Sequence, residues 1–230
     1  MNIKSYLREY PVTFSLIAIT VVMFLVEMMK GGSQQIEVLY HLGALTRSGV
    51  QTGQWWRLIT PIFLHIGFQH ILFNMLTLLV FGFYIEPFLG SWRFLSVYLL
   101  GGIYGNLVSF AFQSETTISA GASSSIFALF GIFVLMRRSL VNNSQYHYLS
   151  TQIVGLAVFN FVFDVIDNFA GGSIGLLAHL GGFIGGYFLS IILGSPQAAN
   201  YPSWQRILAA LFFVASSIGL YLFGMGRALV

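Results

Sequence analysis

Seven apolar runs follow one another along this chain with only short polar breaks between them, and that feature decides what the chain can fold into. Broken at glycine, proline and charge clusters, the runs extend from Val12 to Met29, Phe68 to Ile85, Phe94 to Phe112 and Ile118 to Met136. The last three are Gln152 to Phe169, Ser173 to Leu193 and Ile207 to Met225. Crossing a bilayer takes about 20 mostly apolar residues, and a spanning segment must satisfy its backbone internally, which makes helix the default. Each run is therefore expected to cross as a helix. Charged residues are only 7% of the chain, against roughly 25% in soluble domains, too few to coat a water-facing surface. That balance excludes a soluble enzyme, a nucleic-acid binder and a disordered chain. The expected fold class is an all-α polytopic membrane protein.

Lys4 and Arg8 ahead of the first run look like the start of a signal peptide. The run ends, however, in Glu27-Met28-Met29-Lys30 with no small-residue cleavage pattern, so it reads as a retained anchor. Charge bias sets the direction. With the N-terminus in the cytoplasm, Lys4, Arg8, Arg93, Arg137, Arg138 and Arg206 fall inside, and Lys30, Arg47, Arg57 and Arg227 outside. Three of those outer charges lie near one long loop, where the positive-inside rule is weaker. The reading is N-terminus inside and C-terminus outside. The loop from Lys30 to Thr60 carries Tyr40, Trp55 and Trp56, ring types that favour the headgroup level, and is expected to lie along the outer surface. No internal repeat is visible, which removes support for the paired halves of many transporters. Residues 1–11 read as a short cytoplasmic N-terminus, 12–194 as a six-helix core, and 207–226 as an additional C-terminal transmembrane helix beyond the Gly194-Ser195-Pro196 break.

Function is sought in the polar groups inside the spans, each of which costs free energy unless it faces the bundle interior. His70 and Asn74, four apart in the second span, share one helix face. Ser123 lies about five residues into the fourth run, ~8 Å deep, and His179 about six into the sixth, ~9 Å deep. The second, fourth and sixth spans all enter from one side, so the four groups share a depth. Gly121-Ala122-Ser123-Ser124-Ser125 is a run of small side chains, and Gly181 with Gly185 and Gly182 with Gly186 form two overlapping small-xxx-small pairs. Such patterns let helices approach closely, which would bring Ser123 within reach of His179. The imidazole could then take the hydroxyl proton, making the serine a nucleophile. Asn74, His70 and the Ser123 backbone N–H are the candidate donors to an oxyanion. Taken singly, glycine and serine at helix contacts are more often packing residues, and a lone histidine is as often a structural partner as a base. Asp164 and Asp167, toward the outer end of the fifth span, could orient His179 as a third triad member, but the favoured reading has them facing water there. His65 and His70, five apart, are poorly spaced to share a metal, and no HExxH is present. No metal or cofactor is implied, and the lack of cysteine removes thiolate sites and a cysteine nucleophile.

From about Gln54 to Tyr187 these residues resemble the rhomboid family of intramembrane serine proteases. Trp56-Arg57 is similar to the family's first-loop pair, and His65 with His70-Ile71-Leu72-Phe73-Asn74 to its second-span motif. Glu86 near Gly90-Ser91 fits the inner end of that span. Gly121-Ala122-Ser123-Ser124 resembles the nucleophile motif, and Ala178-His179-Leu180-Gly181-Gly182 with Gly185 the sixth-span motif. The resemblance implies a rhomboid-like six-helix core and a Ser–His dyad rather than a triad. Ser123 would be the nucleophile and His179 the base, with His70 and Asn74 lining the oxyanion hole. It implies single-span transmembrane substrates cut near the outer membrane face, and a gate around Phe161 to Gly172. Ser124 stands where many members have Gly. Phe127 stands where many have Tyr; it can still pack against His179 but has no hydroxyl. The partners implied are transmembrane substrates and membrane lipid, with no nucleic acid.

Two other readings compete. An inactive rhomboid-like protein that binds membrane clients would usually lack the serine or the histidine, and both are present. A small channel relaying protons through His70 and His179 would call for repeated halves or a charged pathway, and neither is seen. The absence of cysteine and of a long targeting extension favours a bacterial inner membrane.

Overall fold

The computed structural model describes residues 3–139, 144–169, 175–197 and 201–227. A short helix α1 (Ile3–Glu9) leads into α2 (Pro11–Met29), where proline stands at the first position, its missing N–H costing nothing there. Glu86 anchors this start. Its carboxylate accepts from the Val12 and Thr13 backbone N–H groups at 3.0 and 2.9 Å, and from the Thr13 and Ser91 hydroxyls at 2.7 Å each. An anion at a helix N-terminus meets unpaired N–H groups and the positive end of the macrodipole. That one side chain therefore joins α2 to the turn between α5 (Phe68–Leu89) and α6 (Ser91–Phe112).

Between α2 and α5 the long loop folds into α3 (Ile36–Leu42), α4 (Arg47–Gln51) and two single 3₁₀ turns, Trp55–Leu58 and Thr60–Phe63. Arg57 holds it in shape. It is buried, donates to the Tyr40 and Ala44 carbonyls at 2.9 and 2.7 Å, and lies over the Tyr40 ring. Trp55 and Trp56 are exposed.

Four further helices complete the bundle: α7 (Ser123–Ser139), α8 (Ser144–Phe169), α9 (Leu176–Leu193) and α10 (Ser203–Gly226). The tightest pairings are α9 with α6 and with α7. The overlapping glycine pairs divide between these two neighbours. A Cβ on Gly182 or Gly186 would strike the carbonyl oxygens of Ser124 or Ala128 on α7. A Cβ on Gly181 or Gly185 would crowd Val108 or Tyr104 on α6. With no hydrophobic drive between helices in lipid, such close backbone contact carries the association. Helix α10 lies against α6 and α9, its Ser216 hydroxyl taking a hydrogen bond from Tyr104 at 3.1 Å, and most of its surface is exposed.

Among the described residues five helices, α2, α5, α6, α9 and α10, are long and apolar enough to cross a membrane, while α7 and α8 carry shorter apolar stretches, Ser123–Met136 and Thr151–Ile166. The fourth run is thus not helical throughout, as its hydrophobicity predicts. Residues 118–122 stay outside the helix because their backbone finds partners elsewhere: Ser119 pairs with Leu45 at 2.9 and 3.0 Å, and Gly121 N–H donates to the Pro61 carbonyl at 2.9 Å. Non-helical backbone at membrane depth is tolerated where protein surrounds it. The start of the sixth run at Ser173 and the Gly171-Gly172 end of the expected gate lie outside the described residues. The chain is an all-α integral membrane protein.

Candidate active site

Ser123 is the first residue of α7, His179 stands in the first turn of α9, and His70 stands in the first turn of α5. Three helix N-termini therefore meet at one end of the bundle. Ser123 begins its helix rather than lying a turn and a half inside it, and His179 is nearer its helix start than the sequence suggests. They nevertheless line one cavity together. With Gly121, Asn74 and Phe127 these residues line a cavity of about 580 Å³.

The turn carrying Ser123 is held from two sides. Gly121 has φ +153°, a conformation that side chains disfavour, and a Cβ there would meet the His70 ring at 2.7 and 2.9 Å and Ser123 Oγ at 3.4 Å. The missing side chain lets His70 and the serine hydroxyl share one spot. On the other side the Ala122 N–H donates to His65 Nε2 at 3.3 Å. His65 is fully buried, with its ring 5.1 Å from that of His70. Burial, with a smaller contribution from His70, pushes its pKa down to about 3, so at neutral pH Nε2 is free to accept. The sequence shows His65 as a poor metal partner for His70 and as part of the second-span resemblance; its hold on the turn that carries Ser123 is visible in three dimensions alone.

Of the neighbouring serines, Ser123 is half-buried, whereas Ser124 is 1% exposed and its Cα and carbonyl pack against Gly182. Asn74 donates from its amide to the His70 carbonyl at 2.8 Å, one helical turn back, which uses one of its two N–H groups. The Phe127 ring lies flat on His179, centroids 4.1 Å apart at 11°.

One reading of the sequence is corrected here. Asp164 does not face water. It is 4% exposed, and its Oδ2 lies 2.7 Å from Nδ1 of His179, itself 8% exposed. Leu156, Asn160 and Asp164 recur every four residues along α8 and all line the cavity, so the i,i+4 pairing of two polar residues in an apolar span is the signal that favours an inward face. The Asp167 side chain lies outside the described residues. No cluster of three or more potential metal ligands occurs among the described residues.

A family model described as "Rhomboid domain" matches residues 52–196. Among similar proteins, "Rhomboid protease GluP" of Bacillus subtilis (strain 168) is 37% identical over 214 residues, which is 93% of this chain but 40% of that protein. "Putative rhomboid protease YdcA" of the same organism is 35% identical over 205 residues, 87% of this chain and 97% of the relative. "Rhomboid-type serine protease 2" of Emericella nidulans is 36% identical over 174 residues, 73% of this chain and 32% of its own length. The chain thus spans well under half of two of these relatives and nearly all of the third.

Proposed function

The chain belongs to the rhomboid family, and from that premise we propose that it is an intramembrane serine protease with Ser123 as nucleophile and His179 as general base. The observation that carries the reading is that these two residues, from separate helices, line one cavity together with His70 and Asn74. With Nδ1 of His179 engaged by Asp164, Nε2 is the nitrogen left for the serine.

The chemistry follows from these groups. Ser123 Oγ bonds to the carbonyl carbon of the scissile peptide as its proton passes to Nε2 of His179. The resulting oxyanion takes hydrogen bonds from the Ser123 backbone N–H, the remaining Asn74 amide N–H and His70. Ser123 heads α7, so its N–H is one of the unpaired donors of a helix start, where the dipole also favours negative charge. Collapse breaks the C–N bond, the leaving amine takes the proton from His179, and an ester to Ser123 remains. Water, deprotonated by His179, then releases the acid and restores the serine. Removing one oxyanion donor typically costs about 10²–10³-fold in rate.

The substrates are transmembrane proteins, in the simplest case single-span, cut where the cavity meets the outer side. That side follows from the cytoplasmic N-terminus favoured by the charge bias, and the membrane is a bacterial plasma membrane. A peptide bond within a helix is shielded by its own turns, so the substrate helix has to unwind locally before attack. The test is reconstitution into phosphatidylethanolamine–phosphatidylglycerol vesicles with a single-span reporter. Ser123→Ala and His179→Ala are each expected to lower kcat by about 10⁴-fold or more, and a fluorophosphonate to label Ser123. Undiminished cleavage by Ser123→Ala would overturn the assignment.

A further inference from the structure

We propose that Asp164 is a positioning residue for His179, so that the Ser123–His179 dyad works with a carboxylate behind its base, the three residues coming from α7, α8 and α9. This rests on the reading of Ser123 and His179 as nucleophile and base.

A carboxylate in an apolar span is costly unless it is paired, and the partner of Asp164 is an imidazole nitrogen at 2.7 Å, with both side chains nearly buried. Two contacts fix the ring. Phe127 covers one face at 4.1 Å and nearly parallel, which sets the ring's plane. Asp164 takes Nδ1, which sets its rotation within that plane. A carboxylate on Nδ1 also selects the tautomer. The proton resides on Nδ1 as donor, and Nε2 is left with its lone pair free for the serine hydroxyl. When His179 accepts the Ser123 proton it becomes an imidazolium, and the ionised Asp164 in contact stabilises that charge in a site of low dielectric. The carboxylate takes no proton at any step; the Nδ1 proton stays on the ring.

The placement has a second consequence. Asp164 belongs to α8, whereas the nucleophile and base belong to α7 and α9, so the base is correctly set only while α8 lies against α9. Displacement of α8 would withdraw the carboxylate and leave the imidazole free to turn, so the position of that helix and the competence of the base are coupled through one hydrogen bond.

The experiment uses the full chain in the same vesicles and separates this inference from the reading beneath it. Asp164→Asn is nearly isosteric, but its amide can donate to Nδ1 and so hold the wrong tautomer. It is expected to lower kcat by about 10²-fold or more, with KM within about threefold because the group does not touch substrate. Asp164→Glu is expected to recover part of that loss, and Asp164→Asn on a His179→Ala background to change nothing further. A purely structural pair would instead lower thermal stability without splitting kcat from KM and would be no better served by Glu. If Asp164→Asn and Asp164→Ala keep the wild-type kcat while Ser123→Ala and His179→Ala are inactive, the positioning role is overturned and the dyad stands. If Ser123→Ala or His179→Ala stays active, the underlying reading fails instead. A measurement on the wild type guards against variants that do not fold. ¹⁵N-histidine NMR is expected to show a strongly downfield Nδ1–H resonance that His179→Ala removes, and its absence from the folded protein overturns the proposal.

Discussion

Phe127 lies parallel to the His179 imidazole at a centroid distance of 4.1 Å, one helical turn beyond Ser123 on the same helix. The helix that carries the proposed nucleophile therefore also carries the platform for the proposed base, so that one rigid element sets the spacing of the two groups. Stacking needs a ring, not a hydroxyl. Phe127→Tyr is expected to leave kcat within about twofold, whereas Phe127→Ala frees the imidazole and lowers kcat by about 10–10²-fold, the scale of a misplacement near 1 Å. Steady-state cleavage of a single-span reporter checks both, and equal activity of the alanine variant would show that the stack does not orient the base.

Ser124 supplies a control for the nucleophile. Its Oγ is buried without a hydrogen-bond partner among the described residues, and its backbone forms the floor under Gly182. Ser124→Ala is expected to retain cleavage within about threefold and full fluorophosphonate labelling at Ser123, because removing an unpaired buried hydroxyl costs little. Ser124→Leu has no room against α6 and α9 and is expected to lower thermal stability, at about 1–3 kcal/mol for overpacking. Labelling that moves to position 124 in wild-type protein, read by peptide mass spectrometry, would reverse the assignment.

The bundle itself was legible because helices in lipid must be long and apolar. The bounds of α2, α5, α6 and α10 fall within a few residues of the hydrophobic runs. The start of α7 was not legible. Hydropathy registers burial in an apolar medium but not backbone geometry, and Ile118 to Ala122 are non-helical because Leu45, Pro61 and His65, all distant in sequence, take their hydrogen bonds. The small-xxx-small pairs in α9 announced close neighbours, but not that Gly182 and Gly186 would serve α7 while Gly181 and Gly185 serve α6. The environment of Asp164 is hidden from the sequence for a related reason. Its position near a helix end suggests water, and the packing of α8 against α7 and α9 turns it inward to His179.

Gly121 separates catalysis from stability. Alanine there is strained at φ +153° and pushes its methyl into the His70 ring, next to Ser123 Oγ. The strain is about 1–3 kcal/mol, small enough for the bundle to survive, yet the displaced groups are those proposed to bind the oxyanion. Gly121→Ala is expected to reduce kcat by about 10²-fold while the protein still melts cooperatively. Loss of folding with no active fraction, or wild-type turnover, would each contradict this.

His65 is expected to make the stability of the turn that carries Ser123 depend on acidity. Folded, it holds off protonation down to about pH 3 because it is buried and His70 is close; unfolded, it titrates near its ordinary value of about 6.5. Above that value both states bind the same number of protons at this group, so it contributes no pH dependence. Below it the unfolded chain takes up a proton that the folded chain refuses, and folding weakens as pH falls toward 3, by at most about 1.4 kcal/mol per pH unit. His65→Gln keeps an oxygen that can accept the Ala122 N–H but cannot titrate. Melting curves between pH 7.5 and 4 are expected to be steeper in their acid decline for wild type than for the glutamine variant, even though the variant starts from a lower melting temperature at neutral pH. Parallel declines in the two proteins would mean that His65 is not the group through which acid acts.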